Sequence, residues 1–265
     1  MLLCKTKLSI VIPVSALVME SVQERIEVLK LAIKHFYRGV EVIVVEQALN
    51  GKFYFMKKLD NVVKIPIEYP VFNKSWCVNV GVKAATNDYV AICDCDMFAR
   101  ETCWSNLLEW MVSCNHMWAF GWNRLIRTTR IQRNIIVEGG NIPSTALITP
   151  VPGYHEGGIF VVKKEFFYKV GQFNECMVEL GGIDNSIANR CRYYYNYYPM
   201  YQLLVYHMCH IQKPKKKRPT RKTNIKILKK EKSQTQKSIA WLVAQNQGNK
   251  KSPLSHRKNF LDELL

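Results

Sequence analysis

Tyr89-Val90-Ala91-Ile92-Cys93-Asp94-Cys95-Asp96 is the stretch on which the reading of this chain turns. An apolar run of strand length ends on two carboxylates at alternate positions. Residues 89–93 have the near-continuous hydrophobicity of a strand buried on both faces. Two carboxylates just past such a strand suit a hard divalent cation, Mg²⁺ or Mn²⁺, because oxygen donors match it and thiolates do not. A cation held there is placed to meet a phosphate. The bland alternative is that Asp94 and Asp96 only cap the following helix. Cys93 and Cys95 raise a zinc reading, but thiols alternating with carboxylates on a buried strand read better as core thiols.

Outward from this point, strands and helices alternate. Residues 8–12 form a β-rich run that Pro13 is expected to end. Residues 22–37 carry Val22, Ile26, Leu29, Ile33 and Phe36 at helical spacing, and Gly39 follows where a C-cap glycine belongs. Residues 40–45 and 62–67 read as strands, and 74–85 as a helix leading into the strand at 89–93. Downstream, 102–112, 164–170 and 184–195 read as helices, and 117–122, 158–162 and 202–206 as strands. The alternation predicts an α/β fold with a Rossmann-like mixed, mostly parallel sheet and helices on both faces. Ligands of such sheets bind at the carboxyl ends of strands, which is where Asp94 falls. The polar stretch 123–154, with Gly139, Gly140, Pro143, Pro150 and Pro152, reads as a mobile loop over that site.

The chain has 265 residues, enough for one substantial core, and its hydrophobic content of 48% is ordinary for a globular protein. Its apolar stretches are too short to span a bilayer. Lys5 and Lys7 interrupt the N-terminus, which does not read as a signal peptide. Nine cysteines without framework spacing then read as reduced thiols of a cytoplasmic protein. The net charge of +17 is uneven: residues 213–232 hold eleven Lys or Arg and one Glu, leaving +7 for the remainder. The expected division is one domain over 1–212 and a basic, disordered or loosely helical tail over 213–265. Such a tail suits a polyanion, either DNA or RNA or an anionic membrane, or else it is a solubilising appendage.

An ordered set of segments resembles one family. Phe72-Asn73-Lys74-Ser75 with Asn79-Val80-Gly81 is similar to a segment of β-1,4-galactosyltransferases and their bacterial family 2 relatives. Ile12-Pro13-Val14 and Val44-Val45-Glu46-Gln47 resemble that family's first two strands, and Asp94-Cys95-Asp96 its metal motif. Gly157-Gly158-Ile159, the run Val170-Gly171-Gln172-Phe173-Asn174-Glu175, and Gly181-Gly182-Ile183-Asp184 resemble its C-terminal signature. The resemblance covers roughly residues 8–210 and implies a GT-A fold. It further implies a hexosyltransferase that moves sugar from a UDP-sugar to a glycan or glycolipid hydroxyl, with inversion. Leu180 and Ile183 stand where the family has a Trp and a Glu that contact the acceptor. The membrane anchor of Golgi members is lacking, which suggests a bacterial, phage or other viral enzyme acting in a cytoplasm.

Residue roles follow from the same resemblance. Asp94, Asp96, His207 and His210 would hold Mn²⁺ or Mg²⁺, and Asp94 would alternatively hold the ribose. Asp184 would be the general base, or else only a helix N-cap. Pro13, Val14, Ser15, Glu46, Asn73 and Lys74 would line the nucleotide site, with Lys74 near the diphosphate. Gly157 and Gly158 would let the donor sugar approach the backbone. The tyrosine-rich run at 193–198 would either stack on an acceptor or pack in the core. Two readings stay open beside the leading one: a transferase that glycosylates modified bases in DNA, and a non-catalytic nucleic-acid-binding protein on this scaffold.

Overall fold

The computed structural model describes residues 8–16, 22–37, 39–48, 51–60, 62–68, 71–120, 124–138, 148–150, 157–179, 181–196, 199, 201, 204–209 and 219–245. In chain order the elements are β1 (Leu8–Ser15), α1 (Val22–His35), β2 (Glu41–Ala48), β3 (Val63–Glu68), α2 (Lys74–Ala84), β4 (Tyr89–Cys93), β5 (Met97–Ala99), α3 (Glu101–Ser113) and β6 (Trp118–Phe120). There follow β7 (Arg124–Arg127), α4 (Arg130–Val137), β8 (Ile148–Pro150), β9 (Ile159–Lys163), α5 (Lys164–Lys169), α6 (Ile183–Tyr194), β10 (Leu204–His207), α7 (Pro219–Ser233) and α8 (Thr235–Gln245).

The main sheet runs β3-β2-β1-β4-β9-β6. Its first four strands are parallel, and β9 lies antiparallel between β4 and β6. The order reverses at β1, with β2 on one side and β4 on the other, so a crevice opens at their carboxyl ends. Asp94 follows β4 directly at that crevice. A smaller sheet, β5-β10-β7-β8, joins the turn after Asp96 to the end of β10.

Period-2 alternation explains why the central strands read as unbroken apolar runs. Leu8, Ile10, Ile12 and Val14 of β1 pack with Ile26 and Leu29 of α1 and Trp104 of α3. Val11 faces the other way, among Trp76 and Val80 of α2 and Phe166 of α5. Both faces are covered by helices, so neither keeps a polar stripe. Pro13 does not end β1, which continues to Ser15. The β4 ladder reaches only Val11–Ile92, while Pro13 pairs with Val45 on β2. A proline is tolerated where one neighbour has already ended.

Gly81 fixes how closely α2 approaches the sheet. A Cβ at this position would overlap the Val11 side chain and sit 2.9 Å from Val45 Cγ2. Glycine-to-alanine exchange inside a helix ordinarily stabilises it. Here Gly81→Ala is expected to destabilise the fold by about 1–3 kcal/mol, the cost of overpacking a closed core. Urea denaturation would read both the size and the reversed sign.

Two further expectations are corrected by the structure. The stretch 123–154 contains β7, α4 and β8 rather than one loop, and α4 opens on a Thr129–Gln132 capping box. Residues 219–245, expected as a disordered or loosely helical tail, form two helices packed on the core. Ile227 and Leu242 are fully buried, Asn224 Nδ2 donates to Val178 O at 2.9 Å, and Asn174 Nδ2 donates to Glu231 Oε1 at 2.7 Å. Residues 213–218 and 246–265 lie outside the described residues.

Candidate active site

Three elements bring three charged groups together at the end of β4. Asn73 caps α2: its Oδ1 accepts from Trp76 N at 3.0 Å, and its Nδ2 donates to Glu175 O at 2.7 Å. Asn73 N donates to Gln47 Oε1 at 2.7 Å. With the helix start fixed in this way, the buried Lys74 projects its Nζ to 2.8 Å from Asp94 Oδ1 and 3.4 Å from Asp184 Oδ1. Burial alone would lower the Lys74 pKa, but Asp184 and Asp94 outweigh it and raise it above the ordinary lysine range. Burial raises the Asp184 pKa, Lys74 works against the rise, and Asp94 adds to it.

Asp184 is the second residue of α6, and Gly182, in the left-handed region at φ 82°, is the N-cap. The carboxylate is therefore not the cap of its helix. Gly157 lies beside it, where a Cβ would stand 3.4 Å from Asp184 Oδ2. Gly158 O accepts from Asp94 N at 2.9 Å, which ties this glycine pair to the acidic turn.

Asp96 faces a second set of groups. Its Oδ2 meets Arg25 Nη1 at 3.0 Å and lies 3.8 Å from His207 Nε2 at the end of β10. Its backbone carbonyl accepts from Met208 N at 2.8 Å. Burial pulls the Arg25 pKa down, yet Cys95 and Asp96 together raise it. The N-cap of α3 is Arg100, so neither Asp94 nor Asp96 caps that helix. Cys93 and Cys95 are buried with raised thiol pKa values, as core thiols should be. The eight described cysteines are all free.

The remaining expected residues divide. Pro13, Val14 and Ser15 are buried at the carboxyl end of β1. Glu46 is 2% exposed and accepts from the backbone N–H groups of Tyr54, Phe55 and Met56 at 2.7, 3.0 and 2.8 Å, so its carboxylate organises that loop. His210, Tyr197 and Tyr198 lie outside the described residues. Tyr194 and Tyr195 pack on Phe166, while Tyr193 is exposed. The sequence reading missed Arg25. The signal was present: position 25 falls between Val22 and Leu29 on the apolar stripe of α1, where a cation needs a buried partner.

Among the described residues no group of three His, Cys, Asp or Glu side chains is gathered to hold a metal ion. Asp96 Oδ2 and His207 Nε2 nonetheless lie 3.8 Å apart, a carboxylate oxygen and an imidazole nitrogen, with Arg25 Nη1 on the same oxygen. That donor set fits Mn²⁺ or Mg²⁺, which commonly takes one or two protein ligands and fills its shell with substrate phosphates and water.

No known protein-family pattern and no curated protein sequence matches the chain. Solved structures do. GalNAc-T7, crystallised with UDP, GalNAc and Mn²⁺, superposes at a TM-score of 0.56 and 13% identity, over 84% of this chain and 48% of that one. TarS from S. aureus superposes at 0.51 and 12% identity, over 85% and 39%. The fold is GT-A. The chain spans less than half the length of either protein. A Drosophila β1,4-galactosyltransferase 7 catalytic domain in complex with xylobiose overlaps more loosely (TM-score 0.42, 15% identity, 83% and 79% covered), too loosely to bear on the fold. Within the GT-A frame, β1, β4 and the turn at Asp94–Asp96 occupy the carboxyl-end crevice described above. Among the described residues no helix is long and apolar enough to cross a membrane.

Proposed function

We propose that the chain is a metal-dependent glycosyltransferase of the family 2 or β-1,4-galactosyltransferase kind, moving a hexose from a UDP-sugar to a glycan or glycolipid hydroxyl with inversion. The observation that carries this reading is Lys74 Nζ standing between Asp94 and Asp184 at the carboxyl end of β4. A buried cation between two carboxylates from distant segments is an arrangement for handling charge that comes and goes. Pro13, Val14 and Ser15 would floor the nucleotide site, and Gly157 and Gly158 would let the sugar approach closely.

Asp184 takes the proton from the acceptor hydroxyl. Its raised pKa makes it a stronger base than an exposed carboxylate, as general base catalysis near neutrality requires. The acceptor oxygen forms its bond to the anomeric carbon as the bond to the diphosphate oxygen breaks. Lys74, kept protonated by its two carboxylates, faces the leaving diphosphate and stabilises its growing charge. Asp96 and His207, with Asp94 and His210, would hold the divalent cation, which when bound supplies Lewis-acid stabilisation of the diphosphate.

The test is nucleoside diphosphate release from a panel of nucleotide sugars, with Mn²⁺ and with chelator, each with and without hydroxymethylated DNA. Turnover that needs metal supports the reading and names the donor. No turnover, and no metal-dependent UDP binding, would leave the non-catalytic reading in its place. Asp96→Ala is expected to weaken Mn²⁺-dependent UDP binding about tenfold or more, the scale of losing a charged ligand, as titration calorimetry would read. Unchanged binding would remove Asp96 from the metal site.

A second acceptor reading is favoured by one observation. Arg221, Lys222, Lys226, Lys229 and Lys232 of α7 are exposed on its solvent side, and Arg221 packs on Gly181, three residues before Asp184. A modified base in DNA would meet such a face. Stimulation of turnover by DNA, falling steeply with salt, would put it first.

A further inference from the structure

Between α7 and α8 lies a cavity of about 310 Å³, lined in part by Asn174, Lys230, Glu231, Lys237, Trp241 and Leu242. The transferase chemistry uses none of these residues. We propose that this cavity is a second carbohydrate-binding site, which takes an acidic sugar unit, one bearing a carboxylate, from a glycan. Assigning that glycan to the acceptor rests on the transferase reading; the binding site itself does not.

The argument starts from Glu231. The residue is 5% exposed, and its Oε1 accepts from Asn174 Nδ2 at 2.7 Å. Its Oε2 is buried and has no hydrogen-bond partner. A buried carboxylate oxygen left without a donor is strongly unfavourable, so the site calls for a group that donates to it. The buried Arg190 lies near enough for its charge to act on Glu231, but it makes no hydrogen bond to it, and its Nε is itself buried without a partner. Its Nη1 donates to Val170 O and Gln172 O at 2.5 and 2.6 Å, and its Nη2 to Ser186 Oγ at 3.2 Å.

A water would satisfy one oxygen, but it gives no reason for the rest of the lining. Trp241 and Leu242 offer an apolar wall, and the exposed Lys237 offers a cation beside Lys230. A pyranose matches all of these at once. Its hydroxyls donate to Glu231, its C–H face lies on an indole, and a carboxylate on the ring meets the lysines. The volume is at the small end of the range of about 300–1,000 Å³ for ligand pockets, which is room for one or two sugar units.

The cavity is also joined to the catalytic region. Asn174, which holds Glu231, precedes Glu175, whose carbonyl accepts from the Asn73 cap of α2 next to Lys74. A sugar seated between α7 and α8 therefore rests on the loop that buttresses the start of α2.

The test is a binding measurement on the full chain, without donor or turnover. The probes are a hyaluronan tetrasaccharide, which carries uronate, chitotetraose, which is neutral, UMP and inorganic phosphate. Calorimetry and the indole N–H signal of Trp241 report binding. The tetrasaccharide is expected to bind saturably, shift that signal and bind more tightly than chitotetraose. Trp241→Ala is expected to weaken it about tenfold, as removal of an aromatic anchor does.

Trp241 also packs against the core, so Lys237→Glu serves as the second variant. Lys237 is exposed, and its reversal should weaken the probe about fivefold with unchanged thermal unfolding. Several results would overturn the proposal: no saturable binding, equal affinity in wild type and Lys237→Glu, chitotetraose binding as tightly as the uronate probe, or a Trp241 shift with phosphate or UMP but not with the tetrasaccharide. Asp184→Asn should bind the probe like wild type. A wild-type chain that binds the probe but transfers no sugar would remove the transferase reading and leave the site. Transfer with no probe binding would do the reverse.

Discussion

Asp184→Asn is expected to lower sugar transfer by about 10²- to 10⁴-fold, the range for loss of a general base. The substitution keeps the size of the side chain and an oxygen that can accept from Lys74 Nζ, so the fold and the start of α6 should persist. The N-cap of that helix is Gly182, and no capping bond is lost. What goes is the ability to take a proton, together with one of the two negative charges beside Lys74. The effect should appear in kcat, with the donor KM changed little, since a base acts in the transition state. Initial rates of nucleoside diphosphate release, with acceptor in excess, measure it. A variant that transfers at the wild-type rate would show that Asp184 does not take the proton.

Lys74→Met carries the other large effect, and it has two parts. Without the ammonium, the leaving diphosphate loses a fixed positive group, and kcat/KM is expected to fall by about 10²- to 10³-fold, the scale of removing one preorganised electrostatic partner. The second part is structural. Asp94 and Asp184 are left facing one another without their shared cation. Removing one partner of a fully buried ion pair costs about 3–5 kcal/mol. Here the side chains of Asp94 and Asp184 are 37% and 29% exposed, and solvent screening reduces the expected loss to about 1–3 kcal/mol. Lys74→Arg keeps the charge and should recover most of the stability but less of the rate, because a planar fork does not reproduce a point charge in a closed space. Urea denaturation and steady-state kinetics on the two variants separate the parts. Equal rates for wild type and Lys74→Met would dissociate Lys74 from the chemistry.

Much of this was legible in the sequence, for identifiable physical reasons. The strands at 8–15, 41–48 and 89–93 are buried on both faces, so their apolar runs are unmistakable, whereas the edge strand at 63–68 leaves Val63 and Pro66 exposed. The acidic pair was legible because it follows such a run. Where the reading failed, apolar periodicity was weak or absent. β7 is four residues with arginine at both ends, and β8 is three residues that include two types common in turns. The capping box of α4, Thr129 to Gln132, was a readable signal inside a stretch dominated by Gly and Pro. The inward side of α7 buries Asn224 and Glu231 together with Ile227. Two of those three are polar, and each hydrogen-bonds through one atom to a partner some 46 to 57 positions away in the chain, which no local pattern reveals. The same holds for the cations at the site. That Arg25 meets Asp96 and Lys74 meets Asp184 are facts of topology, not of spacing.

The packing of α7 and α8 has a consequence for how this chain carries its charge. A segment so rich in lysine would ordinarily be expendable, trailing from a catalytic body that works without it. Here Ile227 and Leu242 close the hydrophobic interior, Asn224 holds the backbone at Val178, and Arg221 shields Gly181 just ahead of Asp184. The positive surface is thus mortared into the wall behind Asp184. A chain shortened at Gln212 would be a building with one side removed, and any selection acting on the lysines acts on the same helices that keep the wall standing.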